Sequence, residues 1–444
     1  MNDIIEKASF PRDWDVLKMR QCFSFGKGLS ITKEDLVEEG IPVISYGQVH
    51  SKDNTGTGLS EELYRYVPDS FLKTGKSCLV QKNDFIFADT SEDYAGVGNC
   101  AFIDNNETIF AGYHSIIARP VSDSLYPKYL AYLFLTDLWR DQIRANVMGI
   151  KVFSITQQLL RDTYICVPSV SEQKRIVELL DESCSKLDKI IANLERQIEL
   201  LQKYKKSIIT ETVTKGLNKN VEMKDSGNRW IGMIPKKWNI KRVLYLLQMP
   251  ITDGPHTTPD MQDDGIPFVS AEAVSTGNGH INFDNIWGYI TPEFYRECCK
   301  KYVPQMDDIY MIKSGATTGK VAIVETSQIF TVWSPLAVFR CNKEMIIPKY
   351  MFYSLQADYF QTQVELGWTY GTQQNIGMRT LEHLKICQPP MKEQEAIVQF
   401  LDERSNKIDR CLIEKERQLE LMQKHKASLI YEYITGKKRV KEVV

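Results

Sequence analysis

A long internal repeat restricts the possible folds of this chain more strongly than any other property. The segment 172–182 (EQKRIVELLDE) aligns without a gap with the segment 393–403 (EQEAIVQFLDE), and the alignment runs on to Thr214 against Thr435. Upstream of these similar segments, the two halves of the chain have diverged. Along the chain, a divergent segment is followed by a similar one, and this order occurs twice. The pattern predicts two globular domains on one repeated frame.

The divergent segments keep traces of the same repeat. The tripeptide PKY occurs at 127–129 and at 348–350, and PRDW at 11–14 matches PKKW at 235–238. Two domains that differ while their frame stays alike indicate two binding domains with different preferences.

The similar segments have the heptad spacing of a coiled coil, with an apolar seam sustained over several heptads. Only a short segment of loop composition, 217–234, joins the first helix to the second domain. We therefore expect the two helices to pack antiparallel. The predicted seam residues are Leu180, Leu187, Leu194 and Leu201 in the first helix, and Leu401, Ile408, Leu412 and Leu419 in the second.

A second apolar stripe runs along both helices. It consists of Ile176, Leu179, Ile190, Leu200 and Tyr204 in the first helix, and of Ile397, Phe400, Cys411 and Leu421 in the second. A two-stranded coil needs only its seam to be apolar, so this stripe requires a further packing partner. Two explanations stay open. The stripe contacts the chain's own globular domains, or it docks helices of another subunit in a four-helix arrangement.

The predicted fold class is α+β. Two globular domains form a tandem repeat with pseudo-two-fold symmetry, each followed by a long helix, and the helices form an antiparallel coiled coil. The predicted divisions are a first domain at 1–168, a first spacer helix at 169–216, a linker at 217–234, a second domain at 235–390, a second spacer helix at 391–436 and a basic tail at 437–444.

The composition is that of a globular protein, with 43% apolar and 25% charged residues. The formal net charge is −2, so a DNA-binding function requires the basic residues to be concentrated on one face. The sequence contains no run of about 18 apolar residues, so no membrane helix is predicted. The start of the chain has no apolar signal segment. A cytoplasmic protein with no membrane association is therefore expected.

Catalytic motifs are incomplete wherever they begin to appear. The segment SGATTGKV at 314–321 resembles a phosphate-binding loop, but its first glycine is misplaced and Val321 replaces the hydroxyl that would bind Mg²⁺. Because strand-like runs flank it, we predict the loop of a hairpin. QPP at 388–390 lacks the asparagine of an amino-methyltransferase motif, and the six histidines have no metal-ligand spacing. Neither a catalytic nor a metal site is predicted.

Two motifs resemble the specificity subunits of Type I restriction–modification systems. One is EQxxIVxxLDE, which begins both helices, at Glu172 and at Glu393, and the other is IPKKW at 234–238, at the entry to the second domain. The resemblance covers nearly the whole chain. It implies a non-catalytic protein whose two target-recognition domains bind a two-part target in double-stranded DNA, one half-site each.

The same resemblance implies partners. Two methyltransferase subunits would methylate adenine with S-adenosylmethionine, and two restriction and motor subunits would use ATP and Mg²⁺. This chain itself is expected to hold no cofactor. The rival hypothesis is a coiled-coil adaptor that binds only proteins and has no DNA specificity.

The resemblance also implies that loops of both domains lie close to DNA. Amide and basic side chains pair with the edges of adenine and guanine, and threonine methyl groups contact thymine. The loop after the strand-like run is acidic in the first domain and basic in the second, so the two loops read different bases or one of them is only structural. The candidate DNA-binding residues are Thr90, Ser91, Lys151 and Ser154 in the first domain, and Thr317, Thr318, Lys320, Thr372, Gln373, Gln374 and Asn375 in the second.

Overall fold

The structure is a computed structural model, and it describes residues 10–149, 151–370 and 374–440. Contacts divide the chain into two compact units. Unit 1 combines Met1–Leu194 with Gln418–Val444, and unit 2 is Glu195–Arg417. Each unit therefore contains one globular domain, one half of the first long helix and one half of the second.

The domain of unit 1 alternates short strands and short helices. Its strands are β1 (Asp15–Lys18), β2 (Phe23–Lys27), β3 (Ile41–Ile44), β4 (Arg65–Val67), β5 (Leu79–Val80), β6 (Phe85–Ala88), β7 (Thr90–Ser91), β8 (Cys100–Phe102), β9 (Ile109–Ala111), β10 (Ser115–Pro120), β11 (Phe153–Ser154) and β12 (Tyr164–Val167). Its helices are α1 (Met19–Cys22), α2 (Tyr46–Val49), α3 (Phe71–Thr74), α4 (Pro127–Phe134), α5 (Asp137–Arg144) and α6 (Gln157–Asp162), with short 3₁₀ turns at Lys33–Asp35, Glu61–Leu63 and Lys76–Cys78. The first long helix, α7 (Val170–Lys215), follows.

Two four-stranded sheets form the framework of this domain. One has the order β2-β10-β6-β8, and the other has the order β4-β3-β9-β5, in which β3 and β9 are parallel. The strand β6 reads FIFA and is buried along its whole length, as expected of a short apolar run inside a domain. Aromatic rings fill the core beside it, with Phe134 centred 5.0 Å from Phe85 and 4.4 Å from Trp139.

The domain of unit 2 repeats this organisation. Its strands are β13 (Met223–Asp225), β14 (Met233–Pro235), β15 (Asn239–Arg242), β16 (Thr252–Asp253), β17 (Ile266–Val269), β18 (Gly288–Ile290), β19 (Ile309–Ile312), β20 (Val321–Ile323), β21 (Thr331–Val332), β22 (Leu336–Phe339), β23 (Thr369–Tyr370), β24 (Gln374–Asn375) and β25 (Lys385–Gln388). Its helices are α8 (Ala271–Ser275), α9 (Pro292–Cys299), α10 (Pro348–Gln356), α11 (Asp358–Leu366) and α12 (Met378–His383), with 3₁₀ turns at Val243–Leu246 and Phe283–Asn285, and the second long helix, α13 (Met391–Ile434), follows.

The pairing of strands matches between the two domains even where the sequences do not. The sheet β16-β22-β19-β20 corresponds to β2-β10-β6-β8, and the parallel pair β17–β21 corresponds to β3–β9. The predicted α+β fold with a tandem repeat is therefore confirmed. The predicted hairpin is also present, because β19 and β20 pair antiparallel on either side of the loop 313–320. The segment 217–234 is not only loop, since β13 and β14 pair within and just beyond it.

The long helices run antiparallel within each unit. In unit 1, Asp188 of α7 accepts from Lys426 of α13 at 2.6 Å, and Glu172, nearer the start of α7, accepts from Arg439, just beyond α13. In unit 2, Lys205 donates to Asp409 at 2.7 Å. The predicted antiparallel coiled coil is therefore confirmed.

The seam of the coil is largely buried. Leu180, Leu187 and Leu194 of α7 are buried, as are Leu401, Ile408 and Leu412 of α13. Leu201 and Leu419 are half-buried.

The second stripe divides into a covered and an exposed part. Ile176 packs into the core of unit 1 and Ile397 into that of unit 2. Farther along the helices, Leu200 and Tyr204 are each about half exposed, and so is Leu421. Contact with the chain's own domains therefore accounts only for the start of each helix. None of the helices in the described part of the chain is long and apolar enough to span a membrane.

Both long helices end against a tryptophan. Gly216 follows α7 with φ +72°, a conformation that favours glycine. A Cβ atom at this position would lie 3.1 Å from the ring of Trp238. Gly436 follows α13 with φ +71° and has the same relation to Trp14. The two entry motifs noted in the sequence, PRDW and PKKW, thus close equivalent junctions, one in each unit.

Candidate functional site

In unit 1, the structure brings the two candidate segments together. The strand β7, which consists of Thr90 and Ser91, pairs antiparallel with β11, which ends at Ser154. The strand β7 comes one residue after the central strand β6, and β11 ends shortly before α6 begins. The candidates of the first domain therefore form one edge, although about 60 residues of sequence separate them.

Unit 2 has the same arrangement. An isolated bridge joins Ser314, at the start of the predicted loop, to Asn375. The amide of Gly315 donates to the carbonyl of Gln374 at 3.0 Å, and the amide of Ile376 donates to the carbonyl of Lys313 at 2.9 Å. The candidate segments of the second domain thus meet at the equivalent edge of the equivalent sheet.

Some candidate side chains at these edges are exposed to solvent, and some lie outside the described residues. Those exposed are Lys151, Ser154, Lys320, Gln374 and Asn375. Thr372 and Gln373 lie outside the described residues. Exposed amide, hydroxyl and ammonium groups next to each other are the donors and acceptors that base edges require.

Several candidate hydroxyls point inward instead. Ser91 is 1% exposed, and its hydroxyl donates to the carbonyl of Asp93 at 2.7 Å. Thr318 donates to the carbonyl of Gly315 at 2.6 Å, and Thr317 is half-buried. Ser91 and Thr318 stabilise their own turns, because a hydroxyl that caps a local carbonyl is a turn-forming group.

Lys320 lies beside a cavity of about 460 Å³ in unit 2. Its ammonium donates to the carbonyl of Ser275 at 3.3 Å, and the cavity is also lined by Lys206 and Asn278. Lys206 is paired with Asp358 and Glu365 also lines the cavity, so the exposed Lys320 supplies the positive charge on this face. Such a local charge suits contacts with phosphates.

An ion pair with a buried carboxylate supports the start of each central strand. Arg119 holds Asp84 with two nitrogen atoms, the shorter contact being 2.7 Å, and Arg340 holds Asp308 in the same way. Hydrogen bonding to the carboxylate raises the pKa of both guanidinium groups. These bidentate pairs fix the strand that positions each edge.

Sequence reasoning missed Asp89, which lies between β6 and β7. Its carboxylate accepts from the hydroxyl of Thr90 at 2.8 Å and from the ring of His114 at 3.1 Å. Thr90 is the next residue in the chain, but the contact with His114 is not predictable from local sequence, because only the pairing of β10 with β6 brings His114 close. The acidic character of the loop was the one available signal.

The comparisons with known proteins agree on one family. A family model described as the Type I restriction modification DNA specificity domain matches residues 11–200 and 235–421. The two matches fall on the two copies of the internal repeat. A similarity of this kind disfavours a coiled-coil adaptor without DNA specificity.

Named relatives resemble the chain over nearly its full length. A Methanocaldococcus jannaschii protein provisionally named the MjaX type I restriction enzyme specificity subunit is 26% identical, with 98% of this chain and 96% of the relative covered. The MjaVIII specificity subunit of the same organism is 23% identical, with 98% and 95% covered. The EcoBI specificity subunit of Escherichia coli is 22% identical, with 68% and 64% covered.

One solved structure shares the fold. It is a chain from work on complex assembly and conformational transition of the type I R-M system, and it is 17% identical to this chain. The superposition covers 97% of this chain and 100% of the other, with a TM-score of 0.64.

Proposed function

Because the chain belongs to the Type I restriction modification DNA specificity family, we propose that each of its two domains reads one half of a two-part DNA target. The observation that carries this proposal is the edge repeated in both domains. The same two segments meet there in each domain, and the side chains they present differ. A shared frame with different contact residues is what two half-sites of different sequence require.

Direct readout in unit 2 is assigned to Gln374 and Asn375. Asparagine and glutamine bond adenine bidentately, and one such contact is worth about 1–3 kcal/mol of discrimination. Lys320 is assigned to phosphate, because an exposed ammonium attracts backbone charge whatever the base sequence is.

A comparison of variants tests these assignments. Asn375→Ala should relax the preference at one base pair of one half-site. Lys320→Ala should weaken binding to all double-stranded DNA alike, and the affinity should depend less steeply on salt concentration. Binding is measured on targets changed in each half-site, at two salt concentrations. If both variants weaken binding to all sequences equally, the residues of this edge hold the DNA in place without reading its bases.

We further propose that the catalytic steps belong to partner subunits. Methyltransferase subunits would supply S-adenosylmethionine chemistry, and restriction and motor subunits would supply ATP and Mg²⁺ chemistry. Purified chain with S-adenosylmethionine and DNA should transfer no methyl groups. Transfer that survives further purification would overturn this part of the proposal.

The docking surface for methyltransferase helices is assigned to the exposed part of the second stripe. In unit 2 it includes Leu200 and Tyr204 of α7, each about half exposed, and Cys411 of α13, which is exposed. The apolar seam alone is enough to pack a two-stranded coil, so packing of the coil does not require these residues. Leu200→Ser with Tyr204→Ser should abolish co-purification of the methyltransferase subunit and leave the melting temperature of the chain unchanged. Glu199→Gln, on the same helix but outside the stripe, is the matched control.

A further inference from the structure

The two domains carry opposite charges at one equivalent position. Ser115 of β10 pairs with Ala88, the last residue of β6, and Leu336 of β22 pairs with Ile312, the last residue of β19. The residue that follows each central strand is therefore equivalent. It is Asp89 in unit 1 and Lys313 in unit 2.

Two hydrogen bonds fix the backbone of this residue in the same way in both domains. The amide of Asp89 donates to the carbonyl of His114 at 3.1 Å, and its carbonyl accepts from Ile155 at 2.7 Å. The amide of Lys313 donates to the carbonyl of Pro335 at 2.8 Å, and its carbonyl accepts from Ile376 at 2.9 Å. Each side chain therefore starts from a rigid and equivalent point.

On the neighbouring strand, the residue close to Asp89 in unit 1 and to Lys313 in unit 2 also has opposite charges in the two domains. Lys27 pairs with Ile116 of β10, and Asp253 pairs with Ala337 of β22. Because Ile116 and Ala337 each follow the residue that pairs with the end of the central strand, Lys27 and Asp253 are equivalent.

In unit 2, the two opposite charges neutralise each other. The ammonium of Lys313 is 3.3 Å from the carboxylate of Asp253, and both side chains are largely buried. Lys301 also contacts this carboxylate, and the ring of His256 lies 3.2 Å away. Burial raises the pKa of Asp253, but its contacts with Lys301 and Lys313 lower it more, so the net shift is downward. Asp253 therefore remains an ionised partner of its neighbours.

In unit 1, the carboxylate keeps one open oxygen. Oδ1 of Asp89 accepts from Thr90 and His114, while Oδ2 has no hydrogen-bond partner in the described ranges. The side chain is 33% exposed. It lines a cavity of about 670 Å³ together with Lys27 and Ser154.

The neighbours of Asp89 hold it rigidly in place. The ring of His50 contacts the carbonyl of Thr90 at 2.8 Å and the amide nitrogen of Asn99 at 3.1 Å. Because an amide nitrogen only donates, the ring accepts there and donates to Thr90. His114 has φ +53°, which is uncommon for a residue other than glycine. A carboxylate held this way is preorganised for binding.

We propose that Asp89 is a specificity-determining residue that accepts a hydrogen bond from an exocyclic amino group, preferably N4 of cytosine, in the major groove of the half-site read by unit 1. The inference rests on the proposed function of the two domains. An ionised carboxylate only accepts, so it matches the cytosine N4 donor and repels the acceptors O6 of guanine and O4 of thymine. Thr90 and His114 are positioning residues that orient it.

The test compares Asp89→Asn with Asp123→Asn, an exposed carboxylate of the same domain. The target is first selected from random double-stranded DNA with the complex that contains wild-type chain. Binding is then measured on targets substituted at each base pair. Asp89→Asn should reduce discrimination at one base pair of one half-site about 5- to 150-fold. Discrimination in the other half-site should not change, and Asp123→Asn should match the wild type.

The outcomes separate this inference from the function on which it rests. If wild-type complex selects no two-part target, the proposed function fails and the inference fails with it. If the wild type selects a target and Asp89→Asn behaves like Asp123→Asn, only the inference fails. Asp89→Glu keeps the charge but moves it by one methylene, so it should lose part of the discrimination at the same base pair. It provides the same test if Asp89→Asn does not fold.

Discussion

The two domains share the buried carboxylates that begin their central strands and differ in charge at the residues that follow those strands. Asp84 with Arg119 and Asp308 with Arg340 form the same bidentate pair at the start of the central strand. At the end of that strand, the equivalent residues have opposite charges. The repeat therefore preserves the chemistry that holds the sheet, while the residues that follow the central strand have diverged.

The junctions at the ends of the long helices make the same comparison on a smaller scale. In unit 2, the ring nitrogen of Trp238 donates to Glu393 at 2.8 Å. In unit 1, the equivalent carboxylate of Glu172 is bound by Arg439. The ring nitrogen of Trp14 is buried there without a hydrogen-bond partner in the described part of the chain. Equivalent packing is therefore combined with different polar contacts.

The largest predicted effect concerns the shared ion pairs. Removing one partner of a buried pair leaves an uncompensated charge, which costs about 3–5 kcal/mol. Asp308→Asn should lower the free energy of unfolding by this order, and Asp84→Asn by less, because Arg119 is 35% exposed and Arg340 only 16%; urea denaturation measures both losses. The control is Asp307→Asn, because the pair that Asp307 forms with Lys343 is exposed and worth about 0–1 kcal/mol. If only one domain is destabilised, the two ion pairs have the same geometry but do not contribute equally to stability.

A smaller effect is expected at the polar pairs of the coil. Lys205 and Asp409 in unit 2 are less exposed than Lys426 and Asp188 in unit 1. Lys205→Glu should therefore cost about 1–3 kcal/mol of unfolding free energy, and Lys426→Glu about 1 kcal/mol or less. Combining Lys205→Glu with Asp409→Lys should recover most of the loss. Equal losses at the two sites, or no recovery in the exchanged pair, would count against these contacts.

The tryptophan junctions give the smallest predicted difference. Trp238→Phe loses a hydrogen bond to a charged group, which contributes about 1.5–3 kcal/mol. Trp14→Phe removes a buried donor that has no acceptor among the described residues. The two variants lose similar packing, so Trp238→Phe should be more destabilising by about 1–2 kcal/mol. Thermal unfolding of both variants measures the difference, and an equal loss would mean that the hydrogen bond is energetically neutral.

The frame was predictable because its signals are periodic and local. A heptad seam and an alternation of apolar runs with turns need no knowledge of distant residues, and both appear where the sequence indicated. Lys205 and Lys426 lie on the two long helices that carry this seam. Their partners, Asp409 and Asp188, lie about 200 residues away, so only the packed helices show that the lysines are paired.

The site was less predictable because side-chain direction depends on strand register. The meeting of Thr90 with Ser154 and of Ser314 with Asn375 follows from pairing that local composition does not encode. For the same reason, Ser91 was selected for its hydroxyl although that hydroxyl faces inward.

The most direct test of this account is a map of methylated bases in DNA from a host that expresses the chain with its methyltransferase. The account predicts methylation within one two-part motif with a fixed gap, absent when the chain is omitted. It also predicts that substitutions in one domain, such as Asn375→Ala, alter only one half of that motif. Methylation that persists unchanged without the chain, or a single-domain substitution that alters both halves, would contradict the claim that each domain reads its own half-site.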